Sequence, residues 1–140
     1  MQTIFRSKPK KKKPGLKAKL DRVFSLYIRS RDSKQFDGKY FRCISCGEIK
    51  TYEQADCGHY INRSIMATRY DEINCNAQCR KCNRFTEGNI QDYRKGLIVK
   101  YGIERVEILE MKKHNTAQFN DAIYEELIKY YNNKIKELKS

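Results

Sequence analysis

Two cysteine pairs, Cys43/Cys46 and Cys79/Cys82, each spaced CxxC and separated by thirty-two residues, constrain this chain more than any other feature. The spacing lets a tight turn aim both sulfurs of a pair at one ion about 2.3 Å away, while amides of the turn donate to the thiolates. Two such pairs complete a tetrahedron, so the implied ion is zinc. Its role is structural, because four sulfurs leave no coordination position for water. Gly47, directly after the first pair, suits the turn. Such an ion staples a centre too small to hold itself together. The other two cysteines, Cys57 and Cys75, lack a CxxC partner and read as small buried apolar residues. With no secretory signal readable at the N-terminus, the six cysteines point to a reducing cytosol rather than to a disulfide framework.

The rest of the chain divides around this centre. At 140 residues it has the length of one domain, and no apolar run approaches the ~20 residues a membrane span needs. Residues 1–15 read as a basic, disordered arm, and 16–140 as a single domain. Leu16, Leu20, Val23, Phe24, Tyr27 and Ile28 fall at helical spacing and predict a helix ending near Asp32 to Lys34. Short strands are expected at 40–44, 48–52 and 55–61, with an irregular polar loop from Asn62 to Glu72. Asn89 to Tyr101, capped by Gly102, and Ile103 to Lys113 read as helices. A last helix is expected to begin at Asn115, with Gln118 closing a capping box and Phe119, Ile123, Leu127, Tyr130 and Leu138 forming its stripe. The expected class is α+β: a small zinc-stapled, strand-rich centre flanked by α-helices.

Charge suggests a partner. Lys and Arg number 30 against 17 Asp and Glu, a net charge of +13, and the excess is front-loaded: Arg6 to Lys19 holds eight basic residues and no acid. Such an arm suits a polyanion, because each neutralised phosphate releases counterions. Lys10, Lys11, Lys12 and Lys13 are therefore candidate DNA contacts, and Arg63 and Arg69 in the polar loop are two more. The lysine run has no apolar face for an interfacial membrane helix.

Chemistry is suggested between the cysteine pairs. His59 lies in DCGHY, thirteen residues beyond Cys46, with Asp56 nearby, Asn74 just before the second pair and Asn83 directly after Cys82. Together they can supply a base, an orienting amide and oxygen ligands for a hard cation around one phosphate. His114 lies in a polar connection and is assigned no role.

The order CxxC, His on a strand, Asn, then CxxCN resembles the HNH (His-Me finger) nucleases, whose ββα-metal unit is often braced by zinc. More closely, CISCG, DCGHY, RYDEIN, QCRKCN and EGNIQDYR resemble the NinG/Rap family of lambdoid phage recombination endonucleases, over residues 16 to about 112. The resemblance implies an HNH-like fold and a phage-encoded protein of the bacterial host cytosol. It implies phosphodiester hydrolysis in branched DNA, Holliday junctions or D-loops, leaving 5′-phosphate and 3′-hydroxyl ends. By the same resemblance His59 matches the general base, Asn74 the middle Asn that holds the loop against the catalytic strand, and Asn83 a ligand of a catalytic Mg or Mn ion. There is one departure: where many members carry an acidic ligand directly before the base, this chain has Gly58. The nearest acid, Asp56, would face away from His59 on a regular strand, so a bulge is expected at Gly58. Glu87 is the other acid that can complete the site.

Two alternatives stand beside this reading: an HNH nuclease that nicks plain duplex, and a noncatalytic zinc-stabilised module that binds DNA through its arm, Arg63 and Arg69. Only a nuclease needs His59, Asn74 and Asn83 together. Two cuts across a junction would call for a homodimer, with the apolar stripe of the last helix as the expected interface.

Overall fold

The computed structural model describes residues 15–140, so the candidate contacts Lys10 to Lys13 lie outside the described residues. The helical spacing at the start is realised as α1 (Leu16–Ser33), which turns Leu20, Phe24, Tyr27 and Ile28 inward. A short 3-10 turn leads to β1 (Tyr40–Arg42), which pairs antiparallel with β2 (Ile49–Thr51) around the first cysteine pair. A second antiparallel ribbon is built from β3 (Ala55–His59) and β4 (Cys75–Cys79). The short helix α2 (Met66–Arg69) interrupts the connection expected to be irregular throughout. A π-helical turn at Lys81–Phe85 carries the chain out of β4 into α3 (Ile90–Tyr101), α4 (Ile103–Lys112) and α5 (Asp121–Lys139).

Three small cores divide the apolar residues. The stripe of α1 packs on Tyr131 and Ile135 of α5, with Cys75 of β4 at its floor. Phe41, Ala55 and Ala77 surround Cys43, Cys79 and Cys82. Tyr93 and Leu97 of α3 close on Val106 and Leu109 of α4. The amide of Ile44 donates to the Ala77 carbonyl at 3.1 Å, joining the first cysteine turn to the second ribbon. Asp32, at the end of α1, accepts from the Ala77 amide at 2.8 Å and pairs with Arg31 and Lys100, fixing α1 to β4.

Three expectations are corrected. The β3–β4 register runs without a break from Ala55↔Cys79 to His59↔Cys75, so there is no bulge at Gly58. Glycine is needed there for another reason: a Cβ at 58 would lie 2.9 Å from Gln78 Cβ and collide with that residue's amide. The last helix starts at Asp121 rather than Asn115, because Asn120 accepts from the Ile123 amide at 2.9 Å and provides the cap. Its buried face is also rotated from the expected stripe, with Tyr124, Leu127, Ile128, Tyr131, Ile135 and Leu138 against α1 while Ile123 and Tyr130 are exposed. Of the stripe expected to form a dimer interface, Leu127 and Leu138 are thus used within the chain and Ile123 and Tyr130 are not.

Candidate metal centre and adjoining histidine pocket

The two cysteine turns meet. The Sγ atoms of Cys43, Cys46, Cys79 and Cys82 all lie within 4.8 Å of one another, and none is in a disulfide. Gly47 adopts φ +75°, and its amide returns to the Cys43 carbonyl at 2.9 Å, closing the first turn as the spacing predicts. The Cys79 amide donates to Cys43 Sγ at 3.3 Å, and Asn89 Nδ2 approaches Cys82 Sγ at 3.5 Å. Burial resists ionisation of Cys43, but amide donors from Cys79, Cys46 and Ser45 outweigh it and hold the thiol below its ordinary range. Four convergent sulfurs, three of them buried, with N–H donors turned toward thiolate, form a set that can hold a metal such as zinc. With all four coordination positions taken by sulfur, it would brace rather than catalyse.

The ribbon braced in this way carries His59 at the end of β3. Its Nε2 lies 2.9 Å from the Arg69 carbonyl oxygen. A carbonyl can only accept, so Nε2 bears the hydrogen and Nδ1 keeps the lone pair. Burial pushes the imidazole below its ordinary value; the bond to Arg69 opposes the shift, and the charges of Arg63 and Arg69 reinforce it. The ring is therefore neutral near pH 7 and able to take a proton.

His59, Asp56 and Asn83 line one cavity of about 230 Å³, together with Cys57, Arg63, Arg84 and residues of α1. Asp56 and His59 do project to opposite faces of a regular strand. They share the cavity because β3, which among the described residues pairs only with β4, leaves its other edge open to it. Asn83 Nδ2 donates to Asp56 Oδ2 at 3.0 Å, while Arg84 forks onto the same carboxylate with two bonds of 2.9 Å. Among the described residues Asn83 Oδ1 has no hydrogen-bond partner and is left for solvent or a cation. Glu87 does not line this cavity: it sits on an exposed turn in which residues 87, 88 and 89 all have positive φ. Of the two acids, the structure brings only Asp56 to the site.

Asn74 lies behind the pocket, fully buried. Its Oδ1 accepts from the Ile61 amide at 2.7 Å, and its Nδ2 donates to the carbonyls of Ile61 and Thr68 at 3.1 Å each. It thus fastens the 61–68 segment to β4 and sets the position of the next carbonyl, that of Arg69, on which His59 rests. Arg63 is exposed on the cavity rim, where a phosphate can reach it. Arg69 is not available to DNA: it is buried and forks onto Asp21 with bonds of 3.0 and 2.6 Å. Burial would raise the Asp21 carboxyl, but hydrogen bonds from Arg69 and Tyr70 prevail and hold it below the carboxylate range.

Several residues of the site escaped the sequence reading. Asp21 is the first acid in the chain and the only one in the first three turns of α1, a signal that marks it as a partner for a buried cation. Arg84 stands beside Asn83 but reads as one of many basic residues. Tyr93, fully buried, donates to the Gly58 carbonyl at 2.7 Å, and helical spacing alone marks it only as core.

The family model described as "Bacteriophage Lambda NinG protein" matches residues 2–140. The chain is 37% identical over 117 residues to Protein ninG of Salmonella phage P22, covering 81% of this chain and 52% of that protein. It is 34% identical over 115 residues to Protein ninG of Escherichia phage 933W, covering 81% and 53% respectively. Protein ninG of Escherichia phage lambda is 33% identical over 115 residues, with 81% and 52% covered. The chain thus spans about half the length of the curated relatives it matches. No solved structure matches. With its cysteine cluster and histidine pocket set on an α+β scaffold, this chain belongs to the bacteriophage lambda NinG protein family.

Proposed function

We propose that this chain is a metal-dependent endonuclease of the HNH, or His-Me finger, type, acting on branched DNA in phage recombination within the host cytosol. The observation that carries the reading is His59: neutral, with Nε2 committed to the Arg69 carbonyl and Nδ1 free, in one cavity with the Asp56–Asn83 pair. A base in that tautomer takes a proton from a water as the water attacks phosphorus, and the 3′ oxygen departs. Products then carry 5′-phosphate and 3′-hydroxyl ends. Asn74 positions the base through the Arg69 carbonyl. A Mg or Mn ion held by oxygens of Asp56 and Asn83 would supply electrostatic stabilisation of the phosphate and the departing oxygen. For Asp56 to serve as a ligand, Arg84 must release it, and an incoming DNA phosphate is a natural acceptor for that guanidinium. Arg63 on the rim and the exposed Arg80 and Lys81, where the π-helical turn begins, add positive charge nearby. The antiparallel ribbon followed by helix supports a ββα reading of the centre.

The Asp56–Arg84 fork favours one second reading, a zinc-braced module that binds DNA without cutting it, since the acid is already neutralised. Incubation of the purified protein with labelled four-way, forked and linear DNA, with and without magnesium, separates the two. Cleavage of branched DNA that His59→Ala lowers by roughly 100- to 10,000-fold, with zinc content and DNA binding retained, supports the nuclease. Cleavage by His59→Ala at the wild-type rate overturns it. Equal cutting of linear duplex would instead identify a nicking enzyme.

A further inference from the structure

We propose that Cys57, Cys75 and His59 form a second metal site, for a thiophilic divalent ion such as zinc, and that its occupation takes the lone pair of His59. One ligand atom from each of the three residues lies within 4.8 Å of the other two. The register explains the convergence: on β3, residues 57 and 59 share a face, and His59 pairs with Cys75 across the ribbon. Cys75 Sγ and His59 Nε2 both approach the Arg69 carbonyl, at 3.4 and 2.9 Å, so the thiol and the ring are held to a common point. Cys57 and His59 line the cavity and give an ion a way in, whereas Cys75 is fully buried on the floor of the α1–α5 core. Two sulfurs and one imidazole are a donor set that selects zinc over magnesium, and the fourth position is left to solvent from the cavity.

β4, with the sequence CNAQC, carries one cysteine of each cluster on the same face. Four steps along the strand, about 13 Å, separate Cys75 from Cys79. The two sites are therefore distinct: the four-sulfur site is closed, and the three-ligand site opens to the cavity. Filling the second releases protons from two thiols and leaves the imidazole without a basic nitrogen, whichever ring nitrogen binds, because a neutral imidazole has a single lone pair. If His59 is the base proposed above, excess zinc switches cleavage off; the site itself does not depend on that reading.

The test is zinc content after equilibrium dialysis under reductant, for the wild-type chain and for Cys57→Ala and Cys75→Ala. The expected result is two ions per wild-type chain against one per variant, the retained ion reporting that each variant is folded. In parallel, the His59 ring titration followed by NMR should vanish when the wild-type chain takes its second ion and persist in both variants. One ion in the wild-type chain, or a second ion kept by both variants, overturns the proposal. Cleavage, with each protein normalised to its own rate without added zinc, should fall roughly 100-fold only in the wild type. Variants inhibited as strongly as the wild type would place the inhibitory ion elsewhere. If no protein cleaves any DNA, the nuclease reading fails while zinc content and the titration still decide the site.

Discussion

Asn74→Ala removes three hydrogen bonds at once from a side chain with no exposure to solvent. The Ile61 amide and carbonyl lose these partners, while the Thr68 carbonyl keeps the Asp71 amide at 3.1 Å. Each stranded buried group costs about 1–3 kcal/mol, and a water admitted to the vacated volume recovers part of it. The expected loss is about 3 kcal/mol, or a melting temperature lower by roughly 10 °C for a domain of this size. The second consequence is local. Thr68 precedes Arg69, so freeing the segment unseats the carbonyl that holds His59, exposes the ring and moves its titration up toward the ordinary imidazole value. Calorimetry with NMR titration of His59 measures both, and zinc content reports on the cysteine cluster independently. Asn74→Asp sharpens the test: the carboxylate cannot donate to either carbonyl, so the variant should be less stable than Asn74→Ala at neutral pH. Its folded pKa would be raised, so stability should improve as pH falls and protonation restores one donor. Wild-type melting with an unmoved His59 titration in Asn74→Ala would refute the assignment of Asn74 as the loop's anchor.

Cys43→Ser or Cys82→Ser should lose the metal and the fold together, because structural zinc contributes about 10–16 kcal/mol, comparable to or above a domain's whole stability. Metal analysis with circular dichroism checks this, and a folded, metal-free wild-type chain would contradict it. Gly58→Ala should cost about 1–3 kcal/mol by forcing Gln78 aside, and Gln78→Ala should relieve part of that in the double variant, as read by thermal melts. The acid limb of the cleavage profile should lie below the ordinary imidazole value of about 6.5, because burial lowers the pKa of His59 and activity falls only once the ring is protonated. A limb at or above that value would argue that another group titrates.

What could be read from the sequence was what local spacing encodes. The CxxC pairs specified their cluster because a turn aims both sulfurs without help from distant chain. The stripe of α1 and the paired helices α3 and α4 were legible from helical period. β4 was not, since CNAQC buries Asn76 and Gln78 along with its cysteines and shows no alternation of polar and apolar residues. Its side-chain amides donate to partners outside the strand, Asn76 to Tyr93 and Gln78 to Ser45 and the Gly88 carbonyl, while Gln78 Oε1 stays buried without a hydrogen-bond partner among the described residues. Arg69 was misread for the same reason, because its partner Asp21 lies 48 residues away. The capping box at Asn115 satisfied a local pattern that Asn120 satisfied in fact. The choice between Asp56 and Glu87 also depended on geometry, namely the open edge of β3 and the three left-handed residues that hold Glu87 on an outer turn.

The packing of α1 on α5 also bears on the order in which the molecule can be made. Asp21, Phe24 and Ser25 of α1 line the histidine cavity, yet the apolar side of that helix is covered by Tyr131 and Ile135, more than a hundred residues later. A ribosome delivers the first helix well before its cover, so a nascent chain presents Leu20, Phe24 and Ile28 to solvent until α5 has emerged. Every residue that lines the cavity precedes residue 85, whereas the side of α1 turned away from it is backed only once translation has passed residue 135. Backing of the α1 wall of the pocket is thereby tied to synthesis of α5, and a chain stalled within α5 would carry an exposed apolar helix, a target for chaperones and proteases.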